Sequence, residues 1–378
     1  MNASSPIRVA QIMGHMAVGG VESTIMNHYR ALDRTKVTFD FIVDDDSKKV
    51  PEDEIRALGG RVFRIPKVGL LHLPQYDAAL SEVLTEIHPD IVHSNINSLG
   101  FFPLRVAKKN GVKIRIAHNH SMSNRKELIR DAAKNMLRPV SRVYPNALAA
   151  CTETAGAWLF GKNAVRKGRV HIIKNAIDVH QYAFSAGPRQ ALRRQYDLDD
   201  KFVVGQVGRL ASQKNYLFSV EVFAEILKRQ PNAVFIMLGE GNQRAEIEQR
   251  IRDLGIGHAA FLLGNQLNVN EWNSAFDVQL FPSLYEGAGM TAIEAQAAML
   301  PVVASDRVPS ETFLEKDLIT VLSLQESPEV WADAVLRAGQ RGIDRLQFRS
   351  TLKDHGYDIE DSAQQLQTWY ESLMASLG

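Results

Sequence analysis

Short runs of apolar residues alternate with longer segments of mixed polarity along almost the whole chain. IRVAQIM (7–13) is followed by Gly14, a Gly19-Gly20 turn and a helical pattern from Glu22 to Leu32. TFDFIVDDD (38–46), RVFRIP (61–66), DIVHSN (90–95), KIRIAHNH (113–120), ALAACT (147–152) and VHIIKNAID (170–178) continue the strand-like series. Strand, helix, strand repetition predicts a parallel sheet with crossover helices. Ligands on such sheets bind beyond the carboxyl ends of the strands, where Gly19, His93 and His118 fall.

The pattern breaks at 179–200, a polar stretch with Gly187 and Pro188, and resumes with FVVGQVGRL (202–210). AVFIMLG (233–239), AAFLLG (259–264), FDVQLFPS (276–283), PVVASD (301–306) and LITVLS (318–323) form a second series. Residues 358–378, with Leu366, Trp369, Tyr370 and Leu373 at helical spacing, predict a terminal amphipathic helix. The division expected is an N-terminal domain at 1–182, a second at 183–357 and the helix 358–378. Two such α/β domains leave a cleft between them, a favoured place for ligands.

Composition adds limits. The 378 residues are 45% hydrophobic and 23% charged, which excludes a disordered or fibrous chain. One cysteine, Cys151, cannot close an internal disulfide and fits a reducing compartment. The start lacks a secretory pattern and no apolar run reaches the ~18 residues of a spanning helix, so a cytoplasmic protein is expected. The net charge of +1 hides an asymmetry. Residues 1–180 carry 26 basic against 17 acidic side chains, and the remainder 18 against 26. The excess lies in 101–145, with 11 basic residues and only Glu127 and Asp131 as acids, interleaved with Phe101, Phe102, Leu104, Leu128, Ile129, Met136 and Leu137. This reads either as a solvated helix face or as a basic amphipathic surface for an anionic membrane. It lacks a known nucleic-acid module, so nucleic acid is not expected.

Three constellations carry chemistry. In FPSLYEGAGMTAIEAQ (281–296), Glu286 precedes the turn Gly287-Ala288-Gly289, and a helix from Met290 carries Glu294. Wholly helical spacing would separate the acids by about 12 Å, against about 5–9.5 Å for the paired carboxyls of glycoside hydrolases. Two acceptor-only carboxylates so staggered suit different diols of one long ligand. The glycine turn and helix start favour an anion. In GQVGRLASQKN (205–215), Arg209 and Lys214 follow a strand end with no acid within five residues, an arrangement that wants phosphate oxygens. Gly19-Gly20 departs from the GxGxxG fingerprint but can admit phosphate or sugar against backbone amides. Gly239 in GEGNQR is read as letting a base pack close. His93, His118 and His120 end two strands. Ligand contact is read mainly for His118, and a metal is disfavoured because alternate strand residues point to opposite faces. No metal or cofactor is expected.

Together GGVE (19–22), VGRLASQKN (207–215) and FPSLYEGAGMTAIEAQ (281–296) resemble retaining family-four glycosyltransferases of the GT-B fold. KIRIAHNHS, CTETAGAWLFG and KNAID are similar to the capsular and exopolysaccharide-synthesis branch. The resemblance implies two facing Rossmann-like domains with the last helix crossing back onto the first. It implies a nucleotide-sugar, most often a UDP-sugar, on the second domain and a glycan or polyprenyl-linked acceptor against the first. By the resemblance, Arg209 and Lys214 bind the diphosphate, Glu294 the ribose and Glu286 the transferred sugar. Gly19 and Gly20 approach the phosphate, and His118 sits near the reacting carbon. Anomeric configuration is kept without a metal. Met299 and Ala176 depart from the family's glycines, and Asn95 from a frequent second histidine. A nucleotide-sugar epimerase and a non-catalytic partner subunit are the alternative readings.

Overall fold

A computed structural model describes residues 5–16, 20–69, 72–120, 137–347 and 349–377. The chain divides into two compact units, Met1–Ile177 with Gly356–Gly378, and Asp178–His355. Residues 178–182 therefore go with the second unit. The outgoing and returning chains meet at this point: Ile177 N donates to Tyr357 O at 2.9 Å, and Ile359 N to Ile177 O at 2.9 Å. The last strand of the first unit is only three residues long: Ile173 N still donates to Ala150 O at 2.9 Å, and further on Ile177 pairs with the returning chain.

The first unit holds β1 (Ile7–Gly14), β2 (Val37–Asp44), β3 (Val62–Ile65), β4 (Ile91–Ser94), β5 (Ile114–Asn119), β6 (Ala147–Ala150) and β7 (Val170–Ile172). They form one sheet in the order β3-β2-β1-β4-β5-β6-β7, parallel throughout. Helices cover both faces of such sheets, which makes central strands apolar on both sides. In β2 every position is buried, Asp40 included. Its carboxylate takes Arg8 Nη1 at 2.9 Å and Arg61 Nη2 at 2.9 Å, so the buried charge is paired. The strand order reverses between β1 and β4, and the register there sets Gln11 beside His93.

The second unit repeats the plan with β8 (Phe202–Val207), β9 (Ala233–Leu238), β10 (Ala260–Gly264), β11 (Val278–Phe281), β12 (Val302–Ser305) and β13 (Ile319–Leu322). The order is β10-β9-β8-β11-β12-β13. Its switch point lies between β8 and β11, whose carboxyl ends carry 208–215 and 282–290. A doubly wound sheet opens a ligand crevice at such a reversal. Strand β8 ends at Val207, three residues before the sequence pattern suggests, because Gly208 turns away with φ 148°.

The terminal helix, Ile359–Ala375, belongs to the first unit. Asp358 caps it, its carboxylate accepting from Glu360 N at 3.2 Å and Asp361 N at 3.3 Å. Ala363, Leu366 and Tyr370 are buried with Met26, Tyr29 and Phe39 in the core of that unit. His28 of the helix Gly20–Ala31 fastens it further, Nε2 lying 2.9 Å from Ser362 Oγ. Leu366→Ala leaves a cavity in this core. It should lower first-unit stability by ~3 kcal/mol, read as a fall in denaturant midpoint followed by signals from that unit.

Candidate functional site

In the second unit the chain past β8 turns through Ser212–Lys214 into the helix Tyr216–Arg229, with Asn215 left-handed at φ 57°. Lys214 Nζ reaches Glu286 Oε1 at 2.7 Å and lies 4.9 Å over the Phe281 ring. Lys214, which has no acid within five residues in sequence, is thus paired in the fold. Its partner lies 72 residues away in sequence and arrives by tertiary pairing. Gln213 Nε2 donates to Tyr285 O at 3.1 Å and to Glu286 Oε2 at 3.4 Å, so both carboxylate oxygens are engaged. Glu286 is 5% exposed. Arg209 is exposed and has no hydrogen bond or ion pair among the described residues.

Gly289, left-handed at φ 61°, opens the helix Met290–Ala297. Among the described residues, the amides of Gly287, Ala288, Gly289 and Met290 donate to no backbone or side-chain acceptor. Four free N–H groups at a helix start form a concentrated positive potential. Thr312 Oγ1 donates to Ala288 O at 3.1 Å and pins the turn. A Cβ on Gly289 would meet Thr312 Cγ2 at 2.9 Å, a second reason for glycine there. Ser283 Oγ and Thr291 Oγ1 are buried without partners on either side of the turn. Glu294 follows one turn on. Although the residue keeps some solvent contact, burial pushes its carboxyl up to about 7 against the lowering effect of Lys214. Burial and the Glu294 charge together raise the phenol of Tyr182. The sequence reading missed Gln213, Ser283, Thr291 and Tyr182. Only Gln213, next to Lys214, carried a signal.

Gly239 meets a backbone constraint within the fold. At φ 140° a Cβ there would lie 2.0 Å from Gly208 O, so the glycine lets the chain after β8 cross over β9. Met299, where the family has glycine, is left-handed at φ 51° and 2% exposed. Burial of its side chain offsets the conformational penalty.

In the first unit Gly20 begins the helix Gly20–Ala31, with open space where a Cβ would stand. Gly19 lies outside the described residues. His93, His118 and His120 come together. His93 Nε2 is 3.0 Å from His118 Nδ1, and the His118 and His120 rings lie 3.8 Å apart by centroid. The expectation that His118 and His120 face opposite ways is corrected: side chains alternate along a strand, so positions two apart share a face, and the two rings lie together. Burial holds His93 and His120 down at about 3, and His118 well below its usual range. All three are neutral at pH 7. Among the described residues no group of three or more His, Cys, Asp or Glu is arranged to hold a metal ion.

Only part of 101–145 is described. There Arg105 is paired with Asp77 at 2.6 Å, Arg115 donates to Tyr144 O at 2.8 Å, Arg142 to Phe160 O at 3.0 Å, and Arg138 lies 5.1 Å over Trp158. Lys108, Lys109 and Lys113 are exposed. The acids Glu127 and Asp131, with Leu128, Ile129 and Met136, lie outside the described residues. No helix among the described residues is long and apolar enough to cross a membrane.

Comparison with known proteins matches this geometry to a family. Residues 18–181 match the model described as Glycosyltransferase Family 4, and 188–354 that of Glycosyl transferases group 1. The putative glycosyltransferase EpsF of Bacillus subtilis (strain 168) is 30% identical over 370 residues, 95% of each chain. The chain belongs to this glycosyltransferase family, and its two parallel-sheet units have the GT-B fold. UDP-Gal:alpha-D-GlcNAc-diphosphoundecaprenol alpha-1,3-galactosyltransferase of Escherichia coli is 22% identical over 314 residues, 80% of each chain. Among solved structures, Anabaena HepE in complex with UDP and glucose superposes with a TM-score of 0.81 at 16% identity, covering 97% of this chain and all of that one.

Glu294 has a consequence for stability. Its folded pKa of about 7 exceeds the ordinary 4.5, so the folded state binds more protons between those values. Stability from this group is fully present below pH 4.5 and is lost as pH rises toward 7, by at most ~3 kcal/mol. Glu294→Gln should flatten that decline, compared with wild type by urea midpoints at pH 5 and 7.5.

Proposed function

We propose that the protein is a retaining, metal-independent glycosyltransferase. It moves a sugar from a nucleotide-sugar donor, a UDP-sugar, to a glycan or polyprenyl-linked acceptor in exopolysaccharide or capsule synthesis. The observation that carries this reading is the second-unit cluster. An exposed, unpaired Arg209 stands on the loop of the Lys214–Glu286 pair, and four unpaired amides open the helix at Met290. Such a cluster suits a ligand that is anionic in one part and rich in hydroxyls in another.

In the reaction the bond from the sugar C1 to the β-phosphate oxygen breaks, and the acceptor hydroxyl oxygen bonds to C1 on the same face. The hydroxyl proton passes to the departing phosphate, giving the glycoside and the nucleoside diphosphate. Arg209 and Lys214 stabilise the negative charge released on the diphosphate, the task other enzymes give to a metal. The Gly287–Met290 amides and Glu286 hold the sugar portion. Glu294 takes the ribose hydroxyls, Gly19 and Gly20 approach the phosphate, and His118 lies near the reacting carbon. Support for UDP and for a lipid-linked acceptor comes from the names of the Anabaena and Escherichia coli proteins. Support for exopolysaccharide comes from the likeness of 113–121 and 151–161 to that branch. Exposed Lys108, Lys109 and Lys113 support attachment to the inner face of an anionic membrane.

Arg209→Ala should lower turnover of UDP-sugar by roughly 10²–10³-fold, the loss measured for one transition-state donor in other enzymes. Glu286→Ala should fall at least as far, and wild-type rates in both folded variants would refute the assignment. Incubation with UDP-sugar and no acceptor should give no isomer by NMR, whereas a new isomer would favour the epimerase. Anionic vesicles should sediment the protein in low salt and release it in high salt, and equal sedimentation with neutral vesicles would count against attachment.

A further inference from the structure

Two hydrogen-bonded chains join the side chains of the three histidines to one phenol on the terminal helix. Tyr370 OH is 2.7 Å from His93 Nδ1, and His93 Nε2 is 3.0 Å from His118 Nδ1. On the other side, Gln11 Nε2 donates to Tyr370 OH at 3.4 Å, Asn95 Nδ2 to Gln11 Oε1 at 2.9 Å, and His120 Nε2 lies 2.9 Å from Asn95 Oδ1. Each branch ends in a buried ring nitrogen with no partner among the described residues, His118 Nε2 on one and His120 Nδ1 on the other. The two rings that carry these nitrogens lie with centroids 3.8 Å apart and planes tilted by 36°.

We propose that Tyr370 fixes the proton positions of His118 and His120 through these two chains, leaving a hydrogen-bond donor on one ring and an acceptor on the other that together read a hydroxyl of a sugar substrate. The ligand class rests on the glycosyltransferase reading above, while the proton positions do not.

The argument is one of proton counting. Tyr370 OH is buried, and among the described residues its partners are His93 Nδ1 and Gln11 Nε2, so its single proton is satisfied only by donation into one branch, and it accepts from the other. If it donates to His93 Nδ1, His93 carries its proton on Nε2 and gives it to His118 Nδ1, and His118 is left with a free Nε2–H. The other branch then runs toward Tyr370, His120 Nε2–H donates to Asn95, and His120 Nδ1 is a bare acceptor. Reversing every bond exchanges the two roles without making the ends alike. Met13 Sδ removes the ambiguity. It lies 3.5 Å from Asn95 Nδ2, and a thioether accepts but cannot donate, so the Asn95 amide nitrogen belongs on that side. His118 Nε2 is therefore the donor and His120 Nδ1 the acceptor. A hydroxyl, which both donates and accepts, is the simplest group that satisfies both. A carboxylate or phosphate oxygen satisfies only the donor, and an ammonium only the acceptor. Because burial keeps the rings neutral, this pair is read by hydrogen bonding and not by charge.

The test is nitrogen-15 NMR of the histidine rings in the full-length protein without ligand. All three histidines should be neutral with the proton on Nε2, and a proton on Nδ1 of His118 or His120 overturns the assignment. Tyr370→Phe keeps the ring and removes the phenol. His93 and His118 should then show tautomer mixtures, and kcat/KM for the sugar donor should fall about tenfold, the equivalent of one hydrogen bond. Unchanged tautomers in a folded Tyr370→Phe overturn the role of Tyr370. If that variant does not fold, the wild-type spectrum decides alone. UDP-glucose, UDP-galactose and UDP-N-acetylglucosamine are then each compared with UDP. At least one sugar nucleotide should shift His118 Nε2 and His120 Nδ1 where UDP does not. If UDP raises the melting temperature yet no sugar nucleotide moves these nitrogens, the hydroxyl reading falls and the donor reading stands. If UDP does not bind, the sugar ligand falls with the proposed function, and the ligand-free spectrum still judges the proton positions.

Discussion

A carboxylate taken out of water must find compensation or lose its charge, and Glu286 finds it in Lys214 at 2.7 Å and Gln213 at 3.4 Å. This pairing joins the segments that leave β8 and β11, the two strands on either side of the second unit's switch point. Backbone and amide contacts follow the same seam: Leu284 N donates to Gln213 O at 2.8 Å, and Asn215 Nδ2 to Pro282 O at 3.2 Å. A buried ion pair adds little net stability, but removing one partner typically costs about 3–5 kcal/mol. What the pair supplies is position. With Glu286 fixed, the next four residues have one path into the helix at Met290, and their amides stay unspent.

The same pairing divides the work between two cations that look equivalent in sequence. Lys214 is neutralised by Glu286, and its stem lies along Gly208, where a Cβ would sit 2.9 Å from Lys214 Cε. It is held in place, and its charge reaches a bound anion partly offset by that carboxylate. Arg209 is unpaired and exposed, so the uncompensated positive charge of the loop is there. An anion bound near Lys214 would meet a dipole formed with Glu286, whereas one near Arg209 meets a full charge.

The fold was legible because its signal is local. Strand after strand shows as an apolar run, and each helix follows at the spacing a crossover requires. What escaped was long-range. No property of 205–215 reveals that Lys214 meets an acid at 286. His118 and His120 were misread for a local reason: strand alternation puts positions two apart on one face. Gly239 was singled out for close approach, and the Gly208 carbonyl 2.0 Å from its Cβ position comes from another strand end, invisible in GEGNQR. Tyr370 read as one more core position of an amphipathic helix, which it also is. Its hydroxyl acquires meaning only once the terminal helix, beginning at Ile359, has returned to β1 and β4.

The two units solve opposite electrostatic problems. In the second, charges gather where the proposed function sets an anion, and the Glu286 carboxylate among them is closely tied to a lysine. In the first, three histidines lie together and all are kept neutral, His93 and His120 down at about 3. On the glycosyltransferase reading this neutrality has a purpose beyond avoiding buried charge. Cleavage of a glycosidic bond passes through a state in which the sugar ring carries positive charge, as in an oxocarbenium ion. An imidazolium beside that ring would oppose the reaction, so a group that must touch the sugar there has to bind without charge. Neutral imidazoles with fixed tautomers do this, whereas lysine or arginine in the same place would not. Burial is usually regarded as a penalty on histidine. Here it keeps the imidazoles in the form that a cationic transition state tolerates.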